Sequence, residues 1–252
     1  MIYLLLPAYN ETAELGELFA SVEGVLPALD EPLEIVLVDD GSTDGTADEA
    51  RALSCKAKVT ITSHEVNQGL GGALRTGFET ILARRPAEDD VIVTMDTDNT
   101  HSPAYIPQMV QHLRREGLNL VVASRYAAGG QEVGVPALRR LLSRCASLFY
   151  GLLYRTPGIS DYTCGYRAYR AGALRKAQEQ FGKRLIEENG FPSTGEILLK
   201  IRSLGDRMGE IPFALHYEKK HTPSKMPLLA TCLSTLRILM RYRFLTKNTK
   251  RA

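Results

Sequence analysis

The chain has 252 residues, enough for one α/β domain with a full core and a short appendage. Hydrophobic residues make up 44% and charged residues 24%, a balance that sets aside a disordered or fibrous chain. Of the 31 Lys and Arg, nine lie between Lys219 and Ala252, where there is no Asp or Glu; the remaining 22 face 29 acidic residues, so an acidic body ends in a basic segment suited to an anionic surface, which argues against a nucleic-acid reader.

The apolar start runs into Pro7 without a basic flank, so Ile2–Leu6 reads as a buried first strand and not a signal peptide. A helix is expected over Ala13–Leu26, then a strand over Leu33–Val38, whose continuous Leu/Ile/Val run suits burial on both faces. Asp44–Leu53 reads as a helix that Ser42, Thr43 or Asp44 can cap, followed by a strand at Lys58–Thr62 and a helix at Gly71–Arg84. Val91–Met95 is the fourth strand, Pro103–Glu116 a helix and Leu118–Ser124 the fifth strand. Beyond this the rhythm changes. Gly129-Gly130 opens a loop, Ala137–Leu153 is a long helix, and Tyr162–Arg170 is a short extended piece. Thr194–Leu204 is helical, Glu210–Tyr217 a strand and Pro227–Phe244 a last helix. Strands alternating with helices predict a mainly parallel sheet covered by helices. The expected division is a catalytic domain over 1–226 and a basic amphipathic helix and tail over 227–252. Cys55, Cys145, Cys164 and Cys232 are scattered without a CxxC pair, which fits a reducing cytoplasm.

Ligands of open α/β sheets gather at the carboxyl ends of the strands. Four of the expected strands end in polar runs: Pro7-Ala-Tyr-Asn-Glu11, Asp39-Asp-Gly-Ser-Thr-Asp-Gly-Thr46, Asp96-Thr-Asp-Asn99 and Ser124-Arg-Tyr126. Two carboxylates leaving one buried strand, Asp96 and Asp98, repel each other and invite Mg²⁺ or Mn²⁺, with phosphate oxygens completing the shell. Asp39 and Asp40 offer acceptors for a ribose or base, or equally a capped turn. Gly69-Leu-Gly-Gly72 lacks both phosphate-loop spacings and reads as a tight start to a helix beside the site, leaving Arg75 a candidate near a diphosphate.

With these pieces the chain resembles inverting glycosyltransferase family 2, and within it the dolichol-phosphate mannose synthase-like branch. The matching runs also include Asn67-Gln-Gly-Leu-Gly71, His101-Ser-Pro103, Gly129-Gly130, Arg139-Arg140, Ser160-Asp161, Gly165-Tyr-Arg167 and Ser224-Lys-Met226, in family order. The resemblance implies a GT-A-type nucleotide-diphospho-sugar transferase fold. It implies that Pro7, Tyr9, Glu11, Asp39 and Asp40 line the nucleotide pocket, and that Asp96 and Asp98 hold metal and diphosphate. Arg125 and Arg139 would contact phosphates of donor or acceptor, and Lys220, Ser224 and Lys225 fall where that branch closes over its phosphate ligands. Two departures stand out. Thr100 occupies a position where the family often has Gln, and Phe191-Pro-Ser-Thr-Gly-Glu196 replaces an aromatic-Gln-Met-Glu stretch.

The implied reaction is metal-dependent inverting transfer of a hexose from a GDP- or UDP-sugar to a polyprenyl or dolichyl phosphate. A phosphate acceptor is already ionised and needs cations, which Arg139, Arg140, Arg167, Lys220 and Lys225 supply. A hydroxyl acceptor, the alternative, needs a carboxylate base, for which Asp161 and Glu196 are the candidates. Asp161 could equally pair with Arg167 and hold a loop. The run 228–245 gathers Arg237, Arg241 and Arg243 too early for a spanning helix and fits an interfacial one, or else an ordinary packing helix. The expected place is therefore the cytoplasmic face of a membrane, held peripherally. A nucleotidyltransferase is the weaker alternative, because the first strand tip has no glycine loop.

Overall fold

A computed structural model describes residues 1–220, 222 and 228–242. The first half alternates strand and helix: β1 (Ile2–Ala8), α1 (Thr12–Val25), β2 (Leu33–Asp39), α2 (Thr46–Ala52), β3 (Lys58–Ser63), α3 (Leu70–Leu82), β4 (Val91–Thr94), α4 (Ile106–Arg115) and β5 (Leu120–Ser124). The second half holds β6 (Gln131–Val133), α5 (Ala137–Tyr154), β7 (Arg167–Arg170), α6 (Ala171–Phe181), α7 (Ser193–Ser203), β8 (Met208–Pro212), β9 (Ala214–His216) and α8 (Leu228–Tyr242). Seven strands form one sheet in the order β3-β2-β1-β4-β7-β5-β8, and β6 pairs with β9 in a small second sheet.

The main sheet is parallel except for β7, which runs antiparallel between β4 and β5. Helices cover both faces, so the central strands are apolar throughout: β2 is buried at every residue and β5 likewise. Away from the strand tips, where Asp39, Thr94 and Ser124 stand, the exception is the buried side chain of Glu34 in β2, which is held by Arg84, Thr60 and Lys58. Leu5 and Gly77 show how closely α3 lies on β1, since a Cβ at Gly77 would collide with the Leu5 side chain.

The expected strand over Glu210–Tyr217 is two strands in two sheets. Pro212 ends β8, and the buried Phe213 turns inward to pack edge-on against His101, Tyr105 and Tyr166. Two elements carry no expectation from the sequence. Helix α6 buries Ala171, Ala173, Leu174 and Ala177, a face too small to give a strong apolar period. Strand β6 has an exposed Gln131 followed by two residues of intermediate burial, and it pairs only with β9. Helix α2 starts at Thr46, two residues later than expected, with Asp44 Oδ1 accepting from the Thr46 amide at 3.0 Å.

Candidate active site

The strand tips converge on a cleft of about 1160 Å³. Pro7, Tyr9, Glu11, Asp40, Asp96, Asp98, Arg125, Arg139 and Lys220 all line it, as the sequence leads one to expect. Ser224 and Lys225 lie outside the described residues.

Asp96 and Asp98 follow β4 directly, because the strand ends at Thr94 and Met95 is its last buried apolar residue. The Asp96 side chain is 36% exposed to the cleft. Its own amide donates to His101 Nδ1 at 3.3 Å, and His101 is stacked on Tyr166 with ring centroids 5.2 Å apart. Asp98 is more enclosed. Its Oδ1 accepts from the Thr100 hydroxyl at 2.6 Å and the Thr100 amide at 3.2 Å, while Oδ2 receives the Lys220 ammonium. Desolvation raises the Asp96 carboxyl above the usual carboxylate range, and repulsion from Asp98 adds to this. Burial works the same way on Asp98, but the charge of Lys220 and the hydrogen bonds from Lys220 and Thr100 hold it below that range.

Among the described residues no three His, Cys, Asp or Glu side chains converge as a ready metal cage. The donor set still fits Mg²⁺ or Mn²⁺. Such an ion is commonly held by one or two carboxylates, with water and substrate phosphate completing an octahedron. Asp96 and Asp98 supply two hard oxygen donors on one open wall, and Thr100 steadies the second of them.

On the other side of the cleft, Asp40 Oδ1 accepts from the Gln68 amide at 2.8 Å and lies 2.7 Å from His64 Nδ1, whose Nε2 is 2.8 Å from the Thr76 hydroxyl. Asp39 is buried, and its Oδ1 accepts from the Ser42 amide at 3.1 Å, so it shapes the turn and does not line the cleft. Thr97 ties the tip of β4 to that of β1 by donating to the Pro7 carbonyl at 2.9 Å. The sequence reading did not single out His64, Thr97 or Gln68. Thr97 and Gln68 stand within the matching polar runs, His64 stands outside them, and the role of all three depends on long-range contacts.

Four expectations are corrected. Asp161 is fully buried and pairs with Arg125, not Arg167: Arg125 Nε donates to its Oδ2 at 2.7 Å and Arg125 Nη2 to its Oδ1 at 2.8 Å. Burial would raise this carboxyl, yet the Arg125 guanidinium holds it below the ordinary range. Arg167 is also fully buried, and it donates to the backbone carbonyls of Thr194 and Tyr162. Glu196 is fully buried as well; its Oε2 accepts from the amides of Glu187 and Glu188, and its Oε1 from Lys200 at 2.7 Å and the Tyr242 hydroxyl at 2.5 Å. None of these three lines the cleft. Arg75 donates to the Ile186 carbonyl at 2.9 Å and so serves the scaffold.

Arg125 stands at the cleft with its guanidinium largely committed, since it also donates to Ser143 at 3.1 Å and Thr163 at 2.7 Å. Arg139 lies with its guanidinium 5.9 Å from the Tyr217 ring centroid. The far arm of the cleft is mostly apolar on its α5 side, through Leu142, Ala146 and Phe149, and mixed on its α8 side, where Thr231, Ser234, Thr235 and Arg237 stand beside Ala230, Leu236 and Leu239.

A mainly parallel sheet with one reversed strand and an acidic pair at the tip of β4 is the GT-A glycosyltransferase architecture. Solved structures agree on the fold. Glucosyl-3-phosphoglycerate synthase from Mycobacterium tuberculosis, crystallised with Mn²⁺, UDP-glucose and phosphoglyceric acid, superposes with a TM-score of 0.69 at 21% identity, covering 96% of this chain and 79% of that one. The sequence model of Glycosyl transferase family 2 matches residues 3–177, and the chain belongs to that family and is a glycosyltransferase. Among curated relatives, the undecaprenyl-phosphate mannosyltransferase of Micrococcus luteus is 31% identical over 226 residues, which is 89% of this chain and 87% of the relative. The dolichol-phosphate mannosyltransferase of Pyrococcus furiosus is 31% identical over 213 residues, 84% of this chain and 55% of the relative. The polyprenol monophosphomannose synthase of Mycolicibacterium smegmatis is 31% identical over 226 residues, 88% of this chain and 80% of the relative.

Proposed function

We propose that this chain transfers a hexose, with mannose the first choice, from a GDP- or UDP-sugar to a polyprenyl-type phosphate at the cytoplasmic face of a membrane, using Mg²⁺ or Mn²⁺. One observation carries this reading: a single cleft runs from the strand-tip carboxylates to a mostly apolar arm between α5 and α8. A nucleotide diphosphate suits the first end and a prenyl chain the second. The polyprenyl-phosphate specificity in the names of the three relatives points the same way.

In the reaction an acceptor phosphate oxygen attacks the anomeric carbon. The bond from that carbon to the diphosphate breaks, and its electron pair leaves with the nucleoside diphosphate. The metal would be held by Asp96 and Asp98 and would supply Lewis-acid stabilisation of the leaving diphosphate. Thr100 orients Asp98, while Asp40 and its His64 partner hold the donor-side wall. Lys220, paired with Asp98, brings a cation to the same spot as the phosphates, and Arg139 and the remaining face of Arg125 add to the positive field. No base is needed for an ionised phosphate. This agrees with the burial of Asp161 and Glu196, the two carboxylates that a hydroxyl acceptor would have called on.

Contact with the membrane is supported by a face of unpartnered apolar side chains. Leu138, Leu141, Leu148 and Leu152 of α5 and Leu233, Leu236 and Met240 of α8 are all exposed, and neither helix contains an Asp or Glu. Arginines along the same helices suit anionic headgroups. Among the described residues no helix is long and apolar enough to cross a membrane.

The test is a transfer assay with GDP-mannose, UDP-glucose and other nucleotide sugars against undecaprenyl phosphate, with and without Mn²⁺. One donor should give metal-dependent lipid product, and replacing Asp96 and Asp98 together by Ala should remove at least ~10³-fold of the rate, the scale of losing a main electrostatic stabiliser. Metal-independent turnover, or transfer to soluble hydroxyls only, would overturn the reading.

A further inference from the structure

The last turn of α8 is joined to the donor-side wall of the cleft by an unbroken run of hydrogen bonds. Tyr242 is buried, and its hydroxyl oxygen lies 2.5 Å from Glu196 Oε1 and 2.9 Å from Glu187 Oε2, its one proton shared between the two carboxylates. Arg241 donates to the other oxygen of Glu187 at 2.7 Å. Glu196 then fixes the backbone of the next segment, accepting the amides of Glu187 and Glu188 at 2.9 Å each. That segment is part of the cleft wall. It also grips the glycine-rich start of α3. The Gly71 amide donates to the Asn189 carbonyl at 2.7 Å, and a Cβ at Gly71 would collide with the Glu188 carbonyl. Beside it, the Gln68 amide donates to Asp40 at 2.8 Å, inside the expected donor pocket.

This arrangement accounts for three features that the mechanism leaves over. It uses a fully buried Glu196–Lys200 pair, which is costly to desolvate and so calls for a purpose beyond stability. It explains why positions 69 and 71 are glycine: each admits a carbonyl of the 188–189 segment where a side chain would stand, and Gly69 also has φ +79. It explains a buried tyrosine at the end of an amphipathic helix. Burial and the two carboxylates keep the Tyr242 hydroxyl well above the ordinary phenol range, so it stays a donor.

We propose that Tyr242 and Glu196 are positioning residues for the donor site: through them, docking of α8 sets the 187–189 wall and, with it, the glycine-rich start of α3 and Asp40. Since α8 also carries part of the exposed apolar face, seating of that helix and the shape of the nucleotide pocket become one event. The inference rests on the donor reading given above.

The test compares Tyr242→Phe with Tyr154→Phe in the full chain. Tyr154 also tethers α8, but its hydroxyl donates to the Leu239 carbonyl at 2.9 Å and not to the 187–189 segment. Tyr242→Phe should raise KM for the nucleotide sugar about fivefold, leave kcat within about twofold, and weaken GDP or UDP binding in the presence of Mn²⁺ by the same factor, as expected for the loss of a hydrogen bond of ordinary strength. Tyr154→Phe should leave KM where it is. If Tyr242→Phe does not fold, Glu196→Gln gives the same readout, with the same expected rise. An unchanged KM in the Tyr242 variant, or an equal rise in the Tyr154 variant, overturns the proposal. If the wild-type chain binds neither GDP nor UDP, the donor reading falls and this inference with it. Wild-type binding with an unmoved Tyr242→Phe sinks this inference alone.

Discussion

The two halves of this chain obey opposite rules of polarity. Up to Ser124, polar residues at strand tips face a cleft and apolar residues face the core, as a buried parallel sheet requires. After Arg125 the charged residues that look most chemical are the most deeply buried. Asp161, Arg167 and Glu196 are inaccessible to solvent, while five leucines of α5 (Leu138, Leu141, Leu148, Leu152 and Leu153) stand outside and its inward face is built from Ser147, Tyr150 and Tyr154. The second half is thus inverted at α5, and a motif there means something different from the same motif at a strand tip. At the tip of β4 the Asp96 carboxylate is open to a ligand, whereas in the second half the buried Asp161 and Glu196 already have their cations, Arg125 and Lys200.

The largest effect that would break this contrast belongs to Asp161. If its work is to neutralise the buried Arg125, then Asp161→Asn leaves an uncompensated guanidinium, a change that typically costs ~3–5 kcal/mol. For a chain of this size that corresponds to a melting point lower by on the order of 10 °C. The pH dependence has a definite sign. The folded carboxyl lies below its unfolded value of about 3.9, so its contribution is complete above that pH and is lost as the pH falls through the lower folded value. The wild-type chain should therefore lose stability through this acid window and the variant should lose less. Thermal melts from neutral to acid pH would show it. An Asn variant that melts with wild type but has no turnover would restore Asp161 to the chemistry.

A second test concerns the outward leucines. Leu148 and Leu152 are each 62% exposed, so replacing both by Asp removes little core packing and should move the melting point by no more than about 2 °C. Burying one such side chain in an acyl boundary stabilises by ~1.5–3 kcal/mol. Cosedimentation with anionic liposomes should accordingly fall at least ~10-fold in partition coefficient. Equal recovery of wild type and variant would assign this face to another partner, and a second copy of the chain would then show as a concentration-dependent rise in sedimentation coefficient.

The contrast also explains what could be read from the sequence. The runs at Ile2–Leu6, Leu33–Val38 and Val91–Met95 gave their strands within a residue or two, because a strand buried on both faces is apolar at every position. The polar residues following them could be assigned to a cleft by topology alone. In the second half the same reasoning had no purchase. Whether Asp161 meets Arg167, six residues away, or Arg125, thirty-six residues back, depends on tertiary placement and not on spacing. The period of α5 marks it as a helix, but a period does not say which side of the stripe is the interior. Helix α6 gives no clear apolar period because small residues, mainly alanines, carry its buried face.

The smallest expected effect lies in the first half, at a residue that departs from the family pattern. Thr100 donates two hydrogen bonds to Asp98 Oδ1, one from its hydroxyl at 2.6 Å and one from its amide at 3.2 Å. Thr100→Val keeps the shape and the amide bond and removes only the hydroxyl. One such bond to a charged oxygen is worth ~1.5 kcal/mol, or roughly a tenfold change in an equilibrium constant. Because the amide and Lys220 continue to hold Asp98, the loss should be smaller, about three- to fivefold in kcat/KM. It should appear as a higher Mn²⁺ concentration for half-maximal rate, with kcat at saturating metal nearly unchanged. A site that relied on Thr100 as a metal donor in place of the family's glutamine would lose far more, and saturating metal would not restore it. The size of this one substitution therefore decides whether the hydroxyl orients the carboxylate or stands in for a missing ligand.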